Sequence, residues 1–243
     1  MKIQLISFIN NIPSRERLEL THKVINESEA DLLLFSANTI LYENEIQQLR
    51  NLIINKDVEV IFGLNNLRSE MISNSLYHIK DSNIKNLYTN LLFEEEDEIS
   101  YNKELIDRLV YEYETRRRLV INGLSILIIQ GGEMNILRNI QDNKLEFVLS
   151  NDIDLTNRFV NIINTTDIFL HTIDSPLSNQ RRINLRGSFL SKGNKYYFSS
   201  SNTKKGSKVL NMKNLQYAVS NTKELLEIDK FIIGSSISRV YEI

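Results

Sequence analysis

Residues 31–36 read DLLLFS, four apolar side chains in a row with nothing polar between them. A strand with one wet face alternates polar and apolar residues. A strand this uniformly apolar is buried on both faces, which places it inside a sheet covered on each side by other layers. KIQLISFI (2–9) and VEVIFG (58–63) have the same texture, with VEVIFG expected to end at Gly63. Between the three runs lie stretches at helical spacing. Residues 14–29 put Leu18, Val24 and Ile25 inward and leave Arg15, Glu16, Arg17 and Lys23 in solvent, and residues 43–54 repeat the pattern. The first quarter of the chain therefore predicts β-α-β-α-β.

The middle changes character. SLYHIK (75–80) and NLYTNLLF (86–93) are too close together for a crossover helix and predict antiparallel strands, so the sheet is mixed. EEEDE (94–98) reads as a solvated acidic loop, because consecutive carboxylates cannot all face one ion. RRRLVING and LSILIIQ (116–130) predict a hairpin turning at Asn122-Gly123, a pair that accepts the positive φ angles of a tight turn. Helical spacing returns at 134–141 and 155–164. DIFLHTI (167–173) is another buried strand, KYYFSSS (195–201) and SKVLNM (207–212) form a late pair, and KFIIGSS with SRVYEI close the chain. Strands of both senses with a few helices, and neither a repeat nor a linker, predict one α/β domain over residues 1–243. The expected architecture is a four-layer αββα sandwich of two mixed β-sheets.

Composition narrows the function. Lys and Arg total 29 against 31 Asp and Glu, a net charge of −2, so no global positive field favours nucleic acid or an anionic membrane surface. No apolar run approaches the roughly 20 residues that span a bilayer, and MKIQLISFINN has no basic segment leading a signal-like apolar core. A soluble, cytoplasmic protein is expected. Cysteine is absent, which removes disulfides, thiolate metal sites and thiol nucleophiles together. The three histidines form no i, i+4 pair and no acidic stretch has calcium-loop spacing, so neither a metal nor a cofactor is expected.

The order of these segments resembles the carbon–nitrogen hydrolase (nitrilase and amidase) superfamily from Lys2 to about Val209, and the resemblance implies the same αββα sandwich. In that family a strand leads into a glutamate base. ADLLLFSAN (30–38) resembles it, with Ala37 in the glutamate's place. NLYTNLLFEEEDEISYNKELI (86–106) resembles the stretch that supplies a lysine to the tetrahedral intermediate, and Lys103 takes that position. The family's cysteine nucleophile falls on Gly131 in the sequence QGGE (130–133). TTDIFLHTIDSP (165–176) and residues 183–210 resemble later family segments. The resemblance thus implies a catalytic set from which base and nucleophile are missing and only Lys103 survives.

Several residues carry two readings. Glu133, between a strand end and a helix start, either complements the helix dipole or does chemistry. Gly131 and Gly132 serve a sharp turn or mark the vacated elbow. His171, inside an apolar strand, is a satisfied core histidine or lines a pocket with Ser36, Ala37, Gly131 and Glu133. Ser36 is a replacement nucleophile only if a base stands beside it. Arg116 to Arg118, and Arg181, Arg182 and Arg186, make surface ion pairs or meet phosphates. The leading expectation is an inactive nitrilase-like module for a protein partner or a small-molecule ligand, assembled as a homodimer or other homo-oligomer. The alternatives are an active hydrolase rearranged around Lys103 and Glu133, and a metal-dependent phosphoesterase of similar sandwich fold.

Overall fold

A computed structural model describes residues 1–8, 12–66, 73–89, 102–140, 144–174, 180–203 and 215–243. Three parallel strands open the chain, β1 (Lys2–Phe8), β2 (Leu32–Phe35) and β3 (Glu59–Asn66), joined by α1 (Ser14–Glu27) and α2 (Glu43–Leu52). The third strand runs on through Gly63 because β4 (Ser73–Lys80) pairs antiparallel with it as far as Asn66. β5 (Asn83–Thr89) then returns along β4 around a two-residue turn, Asp81-Ser82, with both residues at positive φ. The strand expected at 86–93 therefore starts three residues earlier. EEEDE lies outside the described residues, as do SKVLNM and part of 86–93.

The second half repeats the plan. α3 (Lys103–Thr115) precedes the hairpin β6 (Arg118–Ile121) and β7 (Leu124–Gln130), which turns at Asn122 and Gly123 with φ of 51° and 80°. Helical spacing predicts a helix over 134–141, but residues 134–140 are not an α-helix, and residue 141 lies outside the described residues. A 3-10 turn (Gly131–Ile136) leads instead into a small hairpin of β8 (Leu137–Asn139) and β9 (Leu145–Phe147). Met134, Ile136 and Leu137 still point inward, so the apolar spacing was real and only its backbone was misread. After α4 (Ile153–Asn164) come β10 (Ile168–Thr172), α5 (Gln180–Leu190) and β11 (Tyr196–Ser200). β11 pairs with β12 (Gln216–Ser220), and β13 (Lys223–Glu224) adds a short edge. Finally β14 (Asp229–Ile233) and β15 (Ser236–Glu242) cross back beside β1.

Two mixed sheets result, in the orders β14-β15-β1-β2-β3-β4-β5 and β13-β12-β11-β10-β7-β6. The period of two along each strand assigns the layers. Ile3, Leu5, Leu32 and Leu34 of the first sheet meet Ile126, Ile128, Ile168 and Leu170 of the second. Ile6, Leu33 and Phe35 face Leu18 and Val24 of α1 and Leu49 of α2, while Leu127, Ile129 and Phe169 face α3, α4 and α5. The layers are α, β, β, α, as the sequence predicts. One inward position was misassigned. Arg17 is buried, its guanidinium 4.8 Å from the Phe8 ring centroid and its Nη1 donating to the Asn38 carbonyl at 2.7 Å. A delocalised cation stacks on an aromatic face at little desolvation cost, which is how an arginine occupies a helix's inner side.

The contact between α5 and its sheet is tight. A Cβ placed on Gly187 would stand 2.6 Å from Tyr197 Cδ1, and both residues are buried. Gly187→Ala is expected to cost about 1–3 kcal/mol of stability as the ring is displaced; urea unfolding measures it, and an unchanged midpoint would mean that the helix slides freely.

Candidate functional site

The parallel strands β2, β7 and β10 end at one edge of the sandwich, the edge where open α/β sheets place their ligands. β2 runs out into Ser36 and Ala37. The Ala37 N–H donates to the Ile173 carbonyl at 3.1 Å, just past β10. β10 and β7 are in register up to Thr172 opposite Gln130, so Gly131 also leaves its sheet next to residue 173. Ala37 and Gly131, far apart in sequence, thus share this edge.

At Gly131 the chain turns from strand into the 3-10 turn with φ +51°, a conformation costly for any residue bearing a Cβ. The turn is held from beneath. Glu133 is fully buried and its carboxylate accepts the Gln130 N–H at 2.8 Å and an Arg117 Nη2–H at 2.7 Å, with the Tyr113 hydroxyl at 3.4 Å. Burial pushes the Glu133 carboxyl above its ordinary range, and the Arg117 guanidinium pulls in the opposite direction. Glu133 is therefore a clamp under the turn. The middle arginine of the Arg116–Arg118 run is its counter-ion.

The Gly131 carbonyl lies 2.8 Å from His171 Nε2. A carbonyl only accepts, so that nitrogen carries the proton and Nδ1 accepts from the Tyr197 hydroxyl, 2.7 Å away. With both nitrogens satisfied and the ring buried, desolvation first and the Arg186 charge second lower the His171 pKa to about 4, against the Gly131 contact, which raises it. His171 is a neutral core histidine on the helix side of its sheet. It is poorly suited to take a proton from a neighbour.

Between the sheets the same edge is polar. The Ser36 hydroxyl donates to Asn202 Oδ1, which also accepts the Phe8 N–H at 2.9 Å, and Asn202 Nδ2 donates to the Ala37 carbonyl at 2.9 Å. Ser7 Oγ lies 3.0 Å from Ser200 Oγ, and Gln216 Nε2 donates to Ser7 Oγ and to the Leu5 carbonyl. Asn202 thus ties together the ends of β1 and β2. It went unmarked as a site residue, although SSSN after an aromatic strand was the available signal. Close by, burial raises the Asp174 pKa and lowers that of Arg17, each opposed by the other's charge.

Lys103 does not join this group. It opens α3 in the outer layer with a 68% exposed side chain, and Nζ pairs at 2.6 Å with Asp152, the N-cap of α4. The hydrogen bond to Asp152 raises its pKa. Among the described residues no group of three or more His, Asp or Glu stands close enough to hold a metal ion, and no helix is long and apolar enough to cross a membrane.

Compared with known proteins, the chain matches no family model and no curated sequence. Solved structures do match. A CN-hydrolase superfamily protein from Xanthomonas campestris, which carries an arsenic adduct in its active site, is similar over 100% of this chain and 90% of its own, with a TM-score of 0.56 and 11% identity. The fold is nitrilase-like. A glutamine-dependent NAD(+) synthetase from Cytophaga hutchinsonii gives 0.56 at 10% identity, covering 99% of this chain but 42% of the synthetase. The nitrilase-like sandwich here spans less than half of that enzyme. Coverage of 100% also brings β14 and β15 inside the fold, beyond the Val209 limit drawn from sequence.

Proposed function

We propose that this chain is a nitrilase-like protein without carbon–nitrogen hydrolase turnover, working as a module that binds a protein partner or a small ligand, and that it assembles as a homo-oligomer. One observation carries the reading: the two strand ends that meet at the candidate edge finish in Gly131 and Ala37, neither of which can attack a carbonyl or accept a proton. Covalent amide cleavage needs a nucleophile, a base and oxyanion donors held together. Ser36 is the nearest hydroxyl in sequence, but its proton is committed to Asn202. The geometry gives no support to a hydrolase built on Lys103 and Glu133, since one is on the surface with Asp152 and the other is buried with Arg117.

Incubation with short-chain amides and nitriles is expected to release no ammonia above the uncatalysed rate. Turnover that disappears in Lys103→Ala would overturn the proposal, and sedimentation showing a monomer at all concentrations would remove its oligomeric part.

A further inference from the structure

A second place on the molecule carries chemistry that the strand-end site does not use. β5 and β6 are the outermost strands of their sheets on the same side of the sandwich, and α3 runs beside them. A groove of about 510 Å³ lies where the three meet, lined by Lys85 and Leu87 of β5, Arg108 and Thr115 of α3, and Arg116 and Arg118 around the start of β6. That volume suits a small molecule. Four cations line the groove and none of the described lining residues is acidic.

Among the described residues the cations are at most partly neutralised, and not all of them are loose. Arg118 is held in place, its Nη2 donating to the Thr165 carbonyl at 2.9 Å and near the Thr165 and Thr166 hydroxyls. Those partners are uncharged, so its full charge remains. Among the described residues Arg116 has the long 3.6 Å contact to Glu112 as its one ion pair, and it is well exposed. No carboxylate lies within ion-pair distance of Lys85 or Arg108 among the described residues. Two described acids nearby have other partners, Glu59 holding His78 and Lys80, and Asp107 holding Arg158. Like charges brought together in a concave site with so few counter-ions among the described residues destabilise the empty protein and are relieved when an anion enters.

We propose that this groove binds a small ligand carrying two or more phosphate groups, with Arg118 as the fixed contact and Lys85, Arg108 and Arg116 closing on the remaining charges. Arginines favour phosphate because a planar fork donates two parallel hydrogen bonds to it. A net charge of −2 over the whole chain argues for a compact ligand over a long polyanion, which would also face the acidic remainder of the surface.

Calorimetric titration of the intact chain with tripolyphosphate tests this. Saturable binding at one site per chain is expected, weakening as salt rises from about 50 mM to about 200 mM. Lys85→Glu with Arg108→Glu should weaken it by about tenfold or more, whereas Arg15→Glu with Lys23→Glu, on the far helix α1, should leave it unchanged. Circular dichroism and a urea midpoint establish that the variants are folded. If the double reversal does not fold, Lys85→Gln with Arg108→Gln takes its place. Absence of binding, equal loss in the α1 variant, or binding that survives the groove changes would each overturn the proposal. So would groove-dependent binding of a single strand of about twelve nucleotides without any of tripolyphosphate, which would make the surface a nucleic-acid face.

Discussion

Glu133→Ala is expected to destabilise the protein by about 3–5 kcal/mol, the cost of leaving a buried guanidinium without its counter-ion. Arg117 and Glu133 both have fully buried side chains and meet at 2.7 Å. The substitution also strips the Gln130 N–H of its acceptor, just where the strand must bend into Gly131. Glu133→Gln keeps the shape and an acceptor but removes the charge, and should show most of the same loss. The informative contrast is the double change Arg117→Met with Glu133→Leu. A buried ion pair contributes little net stability compared with well-packed apolar residues of similar size, so the double variant should recover most of what either single change loses. Urea unfolding of the four proteins reads this directly. A Glu133→Ala protein as stable as the natural chain would mean that the pair is wet, and that Glu133 is available for the ligand chemistry denied to it here.

Glu133 also shows how far a sequence of this kind can be read. Its place at a helix start was legible, because a carboxylate three residues past a strand's last position is a capping signal. Its partner was not. In Arg116-Arg117-Arg118 nothing local distinguishes the buried arginine from the two beside it; only the tertiary path of α3 over the turn does. Arg17 was misread for the same reason, since its burial depends on Phe8 from another element. Elements governed by local rules were recovered well. DLLLFS had to be an inner strand and Asn122-Gly123 had to turn. The 3-10 turn at 131–136 was lost because three or four apolar residues at this spacing fit an α-helix equally well, and the left-handed φ at Gly131 sets the chain in another direction. At the strand-end edge, Ala37 and Gly131 are picked out by the family resemblance, and each lies just past a strand that the sequence shows. Lys103 was placed by position in a polar stretch, where no packing constraint fixes the direction of a side chain.

His171 yields the second large effect, which depends on pH. Its pKa is about 4 in the fold against 6.5 in an unfolded chain. The folded form keeps the ring neutral because burial penalises the charged ring, with the Arg186 charge adding to this against the Gly131 hydrogen bond, and Nδ1 already accepts from Tyr197. A second proton would need Nδ1 to give up that acceptor role inside a dry core. Between pH 6.5 and about 4 the unfolded chain therefore binds more protons than the folded one, and stability falls as pH falls. The His171 contribution is fully present above pH 6.5 and is lost by about pH 4, a difference of roughly 3 kcal/mol at one unit per 1.36 kcal/mol. Other groups titrate in this range, and Glu133, with its pKa raised by burial, acts in the opposite sense. The measurement is thus a comparison of slopes. His171→Gln keeps an N–H donor for the Gly131 carbonyl and cannot be protonated, so its unfolding free energy should fall less steeply between pH 6.5 and 4 than that of the natural chain. The two curves should converge at the acid end, since the natural chain there bears the cost of charging the ring. Parallel curves would show that His171 takes up its proton in the folded state without penalty, and that the ring at the Gly131 turn is open to water after all.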